Sequence, residues 1–277
     1  NVVAHGGDID HCALLDNFCW PDPILSEKNP EGLLRCGDLV RASCGLFDIT
    51  VSYGTPLVSG KDSMKNDFRG VNVSGEPLKI SILPTLLVTA FSKTTLNHTI
   101  GSDFKSEGDL IYLLGEHGQG LAGSEVIEFF KFKDLALQKK FQRLPALNLN
   151  KNKTLYRSIH KALGRGLIES CHDLSEGGLA VALVESAIGG RLGFMLDGEE
   201  YDDLSELIVK LFGEAPGRFV VSVSKDMESD FLKVFKDLPY CKLGKVTSLP
   251  KVIFKNKKQE ILNQPLDKLI EAFKKGV

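Results

Sequence analysis

A short apolar run followed by a group of polar side chains is the first feature of the sequence that suggests chemistry. Residues 56–60, Pro-Leu-Val-Ser-Gly, are typical of a buried strand that ends in a glycine turn. The side chains that follow are almost all polar: Lys61, Asp62, Ser63, Lys65, Asn66 and Asp67. Gly60 would let backbone N–H groups approach a phosphate, and Lys61 would supply a positive charge. Asp62 or Asp67 would hold a divalent metal, although an ordinary polar turn between two strands is the alternative.

A second candidate lies at residues 171–178, Cys-His-Asp-Leu-Ser-Glu-Gly-Gly, which precede a predicted helix. Ser175 is a natural N-cap, and the two glycines after it leave the first turn without bulky side chains. Asp173 stands where a carboxylate would hold Mg²⁺ against a phosphate bound at the helix end. The alternative is that Asp173 serves only structure. We expect His172 to be packed or hydrogen-bonded rather than catalytic.

A glycine-rich loop at residues 115–124 is the third candidate. The loop follows a strand predicted over residues 109–114 and opens a helix that begins near Ser124. Such a loop is able to cradle a phosphate at a helix N-terminus. Its spacing matches neither G-x-x-x-x-G-K-[ST] nor G-x-G-x-x-G, so it does not by itself identify a nucleotide site.

The composition is that of an ordinary globular protein and argues against several classes of function. The 277 residues suffice for two domains, with 43% apolar residues, 25% charged residues and a net charge of −2. The balanced charge argues against nucleic acid as a partner. The most apolar stretch, residues 80–91, is interrupted by Pro84 and polar residues and is too short to span a bilayer. The six cysteines form no C-x-x-C pair, so we expect reduced thiols and a cytoplasmic protein.

The apolar periodicity predicts two regions that position these residues. Residues 1–105 carry one good helix, over residues 30–53, and about three strands, which is too little to bury both faces of a sheet. Residues 106–277 alternate strands and helices, among them a helix over residues 154–168, a helix over 204–212 and a strand over 219–223, and predict a complete domain. The predicted fold class is therefore α/β (α+β), a partial mixed-sheet domain at 1–105 followed by an α/β domain at 106–277. Because the chain starts at Asn1 rather than Met, we expect a fragment of a longer polypeptide.

Four motifs, taken in order, resemble one enzyme family. Residues 13–22, Ala-Leu-Leu-Asp-Asn-Phe-Cys-Trp-Pro-Asp, and residues 58–66, Val-Ser-Gly-Lys-Asp-Ser-Met-Lys-Asn, resemble the second half of phosphoribosylformylglycinamidine synthase. Residues 114–124, Leu-Gly-(x)5-Leu-Ala-Gly-Ser, and residues 172–178, His-Asp-Leu-Ser-Glu-Gly-Gly, resemble the domain that follows in that enzyme. The resemblance covers nearly the whole chain. It implies the fold of aminoimidazole ribonucleotide synthetase, in which a mixed-sheet domain dimerises or pseudo-dimerises and a second α/β domain follows.

The resemblance also implies an activity, cofactors and partners. Enzymes of this family join formylglycinamide ribonucleotide to glutamine-derived ammonia with ATP and Mg²⁺, a C–N ligase reaction of de novo purine biosynthesis. The expected ligands are therefore ATP or ADP with Mg²⁺, and the expected partners are the remaining N-terminal synthetase half and a glutaminase domain or subunit. Neither nucleic acid nor a membrane is expected. Because the family's catalytic histidine belongs to the half that precedes this sequence, we expect no catalytic residue and no synthetase activity in the fragment alone.

The resemblance assigns roles to four residues near the predicted strand end. Asp16 and Gly60 match residues of the family's ATP site, and Ser63 matches a serine that binds the substrate. Lys61 stands where the small form of the family has a metal-binding asparagine. Because a lysine does not ligate Mg²⁺, we expect Lys61 to join the nucleotide site as a phosphate-facing charge. The sequence Gly-Lys-Asp-Ser agrees with the long, single-chain form of the family.

The resemblance assigns two more residues to an auxiliary nucleotide site of the long form, where Asp173 matches a metal-binding aspartate and Ser175 a nucleotide-binding serine. Two alternatives stay open. One is another superfamily member, such as aminoimidazole ribonucleotide synthetase or selenophosphate synthetase, against which the motifs around Asp16 and Lys61 argue. The other is a non-catalytic half that holds a nucleotide for stability and scaffolds the active half. The lysine at position 61 favours this second alternative.

Overall fold

The chain divides into two compact units. The computed structural model describes residues 1–116, 120–130, 142–197, 204–256 and 259–275. The smaller unit is Ile9–Lys93, and the larger unit combines Asn1–Asp8 with Thr94–Val277. The domain boundary expected at residues 105 and 106 remains a prediction.

The smaller unit is built from a three-stranded mixed sheet, a hairpin and one long helix. Its elements are β1 (Cys12–Cys19), α1 (Gly32–Tyr53), β2 (Leu57–Ser63), β3 (Asp67–Val71), β4 (Pro77–Ser81) and β5 (Thr85–Ser92). The strand order is β2-β1-β5, with β2 parallel and β5 antiparallel to β1. Gly54 ends α1 in the left-handed conformation at φ 71°, and its N–H donates to the Thr50 carbonyl. A glycine in this conformation is a common end for a helix.

Strand β2 is longer than the sequence predicts. The expected turn at Gly60 is wrong, because the strand continues to Ser63. The register with β1 pairs Asp16 with Gly60 and Cys19 with Ser63. Pairing with a central strand gives this polar segment a ladder of hydrogen bonds, which outweighs its weak strand propensity. The described part of this region has five strands, where the sequence predicts about three.

Strands β3 and β4 form a hairpin that is held at its open end by a buried carboxylate. The Asp67 side chain is 3% exposed, and its Oδ2 lies 3.3 Å from Lys79 Nζ and 3.9 Å from Arg69 Nη2. Burial alone would raise the pKa of Asp67, but interactions with Ser81, Lys79 and Arg69 hold it below its ordinary value. Asp67 is thus engaged by cations of its own chain, which corrects the expectation that it is available to a metal.

The larger unit is organised around a seven-stranded mixed sheet of order β12-β11-β8-β10-β6-β9-β7. Its strands are β6 (Leu110–Leu114), β7 (Ser170–Asp173), β8 (Gly193–Leu196), β9 (Phe219–Val223), β10 (Tyr240–Thr247), β11 (Lys251–Asn256) and β12 (Gln259–Pro265). Its helices are α2 (Glu125–Phe130), α3 (Leu149–Gly164), α4 (Gly178–Gly190), α5 (Leu204–Phe212), α6 (Glu228–Phe235) and α7 (Leu266–Lys275). Strands and helices alternate along most of the unit, as the sequence predicts.

Helices cover both faces of the central strands. Strands β6 and β9 are apolar and buried along their whole length, which is typical of strands enclosed on two sides. On one face Ile111 belongs to a core that includes Leu183 of α4 and Leu207 of α5. On the other face the Tyr112 ring lies 5.0 Å from the Phe231 ring of α6. The predicted fold class, a partial mixed-sheet region followed by an α/β domain, is confirmed.

The helix boundaries agree with the sequence in some places and depart from it in others. Helix α5 and strand β9 have the predicted bounds. Helix α3, predicted over residues 154–168, begins earlier, because the Asn148 side chain accepts a hydrogen bond from the Lys151 N–H at 3.0 Å and caps it there. Strands β7 and β12 are not predicted. Among the described helices, none combines the length and the apolar character that crossing a membrane requires.

Arg218 closes the C-terminal end of α5. This residue is 1% exposed, and its guanidinium donates through Nη1 to the Gly213 carbonyl at 2.8 Å and through Nη2 to the Lys210 carbonyl at 3.2 Å. Carbonyls at the end of a helix lack a partner within the helix. They also carry the negative end of the helix dipole, which a cation stabilises. Arg218 therefore supplies hydrogen-bond donors, from inside the core, to carbonyls at the end of α5.

We expect Arg218→Met to lower the free energy of unfolding by roughly 2–4 kcal/mol, because two buried carbonyls lose charged donors. The measurement is urea unfolding followed by circular dichroism. Arg143→Met is the matched control, since Arg143 is exposed. Equal unfolding midpoints for the two variants would contradict the role given to Arg218.

We expect Asp67→Asn to destabilise the chain at neutral pH and to lose this effect in acid. The folded pKa of Asp67 lies below the ordinary value of 3.8. A depressed carboxyl pKa contributes stability above the unfolded pKa, and the contribution disappears as the pH falls through the folded pKa. Urea midpoints of wild type and variant should differ at pH 7, and the difference should disappear as the pH falls through the folded pKa of Asp67. Asp48→Asn, on the exposed face of α1, is the control, and a difference that persists unchanged in acid would rule out the ion pair.

Candidate functional site

Asp16 and Gly60 lie side by side on neighbouring strands of the smaller unit. They are register partners in the parallel pair β1 and β2. A Cβ atom at position 60 would lie 2.6 Å from Asp16 Oδ1, closer than real Cβ contacts occur. Glycine at this position therefore leaves room for the Asp16 carboxylate above the adjoining strand. The resemblance paired these two residues, and the structure brings them together.

Lys61 and Ser63 lie on the opposite face of the same strand. Side chains alternate between the two faces of a strand, so residues 61 and 63 share one face and residue 60 points to the other. The Lys61 ammonium donates a hydrogen bond to Ser63 Oγ. The four residues assigned near the strand end thus form two pairs on opposite faces, Asp16 with Gly60 and Lys61 with Ser63. A single small ligand over one face of the sheet would meet only one pair.

The larger unit places Asp173 and Ser175 in direct contact. Strand β7 ends at Asp173, and Ser175 Oγ donates to Asp173 Oδ2 at 2.6 Å. The Asp173 side chain keeps 17% of its surface exposed. Burial would raise the pKa of Asp173, but the hydrogen bond from Ser175 helps to hold it below its ordinary value. Asp173 is therefore a carboxylate near neutral pH, with a hydroxyl fixed beside it.

Ser175 is not the N-cap of the helix that follows, which corrects the sequence expectation. The helix begins at Gly178, and its N-cap is Gly177 at φ 76°. Gly178 also has a positive φ of 63°, and its N–H donates to the Ser175 carbonyl at 3.0 Å. Two glycines in left-handed conformations make this tight entry possible. The Ser175 hydroxyl is left to the Asp173 carboxylate instead of the helix.

His172 is hydrogen-bonded through both ring nitrogens. Its Nδ1 lies 2.7 Å from the Asp173 carbonyl oxygen and its Nε2 lies 3.0 Å from Glu185 Oε2. A ring held on both sides is oriented by the fold and has no nitrogen left for a substrate. This geometry agrees with the expectation that His172 is hydrogen-bonded rather than catalytic.

Glu214 is not among the residues predicted from the sequence, and its carboxylate contacts the start of α4. Its Oε1 accepts hydrogen bonds from the Gly177 N–H at 2.8 Å and from the Glu125 N–H at 2.9 Å. At the start of α4, the N–H groups of Gly177 and Gly178 are therefore already bonded within the chain. A phosphate near Asp173 does not meet these two N–H groups free, contrary to what the sequence suggested. The one available signal was the polar turn Gly-Glu-Ala-Pro-Gly-Arg between a helix and a strand.

In the glycine-rich loop, the backbone at Gly115 packs closely against another backbone segment. Gly115, at φ 98°, follows β6, and a Cβ there would lie 2.2 Å from the Gly217 carbonyl oxygen. Ser124 is buried, and its hydroxyl donates to the Leu121 carbonyl at 2.6 Å. Residues 117–119 of the predicted phosphate loop lie outside the described residues. What is described shows a loop packed by its glycines and ending at α2.

Asp173 and Ser175 offer oxygen ligands of the type that Mg²⁺ prefers. Within the described ranges, no three His, Cys, Asp or Glu side chains are placed to hold a metal together. Magnesium commonly binds one or two carboxylates and completes its octahedron with water and phosphate oxygens. The Asp173 carboxylate therefore fits a magnesium ion that a nucleotide phosphate helps to hold, and it does not form a site that is complete without a ligand.

Comparison with known proteins identifies the family of this chain. A family model described as "AIR synthase related protein, C-terminal domain" matches residues 106–255. The phosphoribosylformylglycinamidine synthase subunit PurL of Thermococcus sibiricus is 32% identical over 258 residues, which cover 92% of this chain and 32% of the relative. The same subunit of Lactobacillus helveticus is 32% identical over 279 residues, covering 100% of this chain and 33% of the relative. The chain thus spans about a third of the length of the curated relatives it matches.

Solved structures share the fold. Thermotoga maritima PurL complexed with FGAR superposes with a TM-score of 0.61 at 20% identity, over 96% of this chain and 40% of that chain. HypE of E. coli, a hydrogenase maturation protein, has a TM-score of 0.62 at 14% identity, over 95% of this chain and 74% of that chain. The expected aminoimidazole ribonucleotide synthetase type of fold is confirmed. Since the family model matches more than half of the 277 residues, the chain belongs to the AIR synthase related family.

Proposed function

We propose that this chain is part of an ATP-dependent synthetase that converts formylglycinamide ribonucleotide and ammonia to formylglycinamidine ribonucleotide. The observation that carries this proposal is the 32% identity to two phosphoribosylformylglycinamidine synthase subunits over nearly the whole chain. Structures of the T. maritima relative are described with ATP, ADP and FGAR, which supports nucleotide and ribonucleotide ligands. The reaction is the C–N ligase step of purine biosynthesis, and we assign it to the cytoplasm.

In the smaller unit, the two residue pairs suit different ligands. Asp16 and Gly60 present a carboxylate over a strand without a side chain, a surface that we assign to the ATP site. Lys61 and Ser63, linked by a hydrogen bond on the other face, present a cation and a hydroxyl, which suit an anionic group. We therefore assign Ser63 to the substrate. We assign Lys61 to the same anionic ligand instead of the nucleotide. The attraction between the Lys61 ammonium and this ligand should weaken as the ionic strength rises.

In the larger unit, we propose that Asp173 and Ser175 hold a nucleotide together with Mg²⁺. The metal would neutralise phosphate charge and help to orient the phosphates. Asp173 would supply one carboxylate oxygen to it, and its depressed pKa keeps that oxygen unprotonated over the physiological range. The Ser175 hydroxyl, fixed 2.6 Å from Asp173 Oδ2, would bind the nucleotide beside the metal.

A second candidate function is a non-catalytic nucleotide-holding half of the same enzyme. The observation that favours it is the lysine at position 61, since an ammonium cannot replace a metal ligand. In either case the proposed partners are the rest of the synthetase and a glutaminase domain or subunit that supplies ammonia.

We expect the chain to bind ADP in the presence of Mg²⁺, and Asp173→Asn to weaken this binding by about tenfold or more, equivalent to at least about 1.4 kcal/mol. The amide keeps the shape of the carboxylate and removes the charge that faces the metal. The measurement is isothermal titration calorimetry, supported by the rise in melting temperature that a bound ligand causes. Multiple turnovers of ATP and formylglycinamide ribonucleotide with ammonia by this chain alone would contradict the expectation that it carries no catalytic residue.

Asp237→Asn is the matched control for this experiment. Asp237 is 85% exposed and lies 3.9 Å from the Lys236 ammonium, so the same change there removes a charge without touching the site. ADP affinity should be the same for wild type and this control. A wild-type chain that binds no nucleotide with Mg²⁺ would refute the proposed nucleotide site, and an Asp173→Asn variant with wild-type affinity would refute the role of Asp173.

A further inference from the structure

Glu214 joins two segments that are distant in sequence. Its carboxylate oxygen Oε1 accepts one hydrogen bond from the loop that contains Asp173 and Ser175, at the Gly177 N–H, and another from the first residue of α2, at the Glu125 N–H. The two distances are 2.8 and 2.9 Å, within the normal range for N–H···O bonds. Both donors are backbone groups at the starts of helices, so the contact fixes main chain rather than mobile side chains.

Residues next to Glu214 in the chain also contact the loop that contains Asp173 and Ser175. A Cβ at Gly178 would lie 2.7 Å from the Gly213 carbonyl oxygen, so the start of α4 packs directly against the backbone before Glu214. The Leu174 N–H donates to the Arg218 carbonyl at 3.0 Å. The turn at residues 213–218 therefore contacts the segment 174–178 at both of its ends, and Glu214 adds the link to α2.

We propose that Glu214 is a positioning residue for the nucleotide site, which fixes the Asp173–Ser175 loop against the start of α2. The inference rests on the proposed nucleotide site at Asp173 and Ser175 and extends it to a residue that does not touch the ligand. Its consequence is that the Asp173 carboxylate and the Ser175 hydroxyl are aligned before the nucleotide arrives. A preorganised site binds more tightly because less conformational freedom is lost on binding.

The hydrogen bonds to Glu214 Oε1 and the negative charge of the Glu214 carboxylate are distinguished by different substitutions. Both N–H groups donate to the same oxygen, so a glutamine, whose amide oxygen occupies the same place, keeps both bonds. A leucine removes both, and an aspartate, one methylene shorter, cannot reach both donors. The charge adds the attraction of a carboxylate for the positive end of α4, which is a smaller effect than the two bonds together.

The test is ADP affinity with Mg²⁺ and amide hydrogen exchange for wild type, Glu214→Leu, Glu214→Asp and Glu214→Gln. We expect Glu214→Leu to raise the Kd about tenfold or more, a loss of the size that two hydrogen bonds give. Exchange of the Gly177 and Glu125 amides should accelerate together in the same variant. Glu214→Gln should keep the Kd within about threefold and the two amides protected. Glu128→Ala, a change of the same residue type at an exposed position of α2, is the control.

The outcomes separate this inference from the proposed function. Wild-type binding of ADP with an unchanged Kd in Glu214→Leu would overturn the positioning role and leave the nucleotide site intact. Faster exchange of the two amides without any change in Kd would do the same, since it would show a purely structural contact. No binding by the wild type would overturn the nucleotide site and this inference with it. If Glu214→Leu does not fold, Glu214→Asp carries the same comparison.

Discussion

The turn at residues 213–218 holds the ends of three helices, and the larger unit depends on this arrangement. Arg218 donates to carbonyls at the C-terminal end of α5. Glu214 accepts from the Glu125 N–H at the start of α2 and from the Gly177 N–H just before α4. Each charge thus meets the helix end that attracts it. The backbone N–H and C=O groups at a buried helix end would destabilise the fold if they had no such partners. The segment that stabilises the fold is therefore the one that shapes the candidate site.

The smaller unit shows how strand pairing limits what a cluster of polar residues can do. Read along the chain, Gly60, Lys61 and Ser63 look like one phosphate-binding turn. In the structure all three residues lie within the edge strand β2. Because side chains alternate between the two faces of a strand, position 60 faces Asp16, whereas Lys61 and Ser63 lie on the other face. Two pairs on two faces would therefore meet two different ligands.

Much of the fold could be predicted, because its signals are local. The continuous apolar runs of β6 and β9 identify strands that are buried on both faces, and the contact of Asp173 with Ser175 follows from their closeness in sequence. Glu214 could not be predicted, since its donors Gly177 and Glu125 are 37 and 89 residues away. The strand through Gly60 was missed for the same reason, because its partner β1 lies far back in the chain. Contacts between distant segments are the part of a site that one sequence does not reveal.

The central claim is that the Asp173–Ser175 loop holds a nucleotide and that Glu214 fixes this loop against the start of α2. Hydrogen-exchange mass spectrometry of the chain, with and without ADP and Mg²⁺, tests it most directly. The account predicts slower exchange in peptides covering residues 170–178 and unchanged exchange in α7. Unchanged exchange at residues 170–178 in the presence of saturating nucleotide, or protection confined to residues outside them, would contradict it.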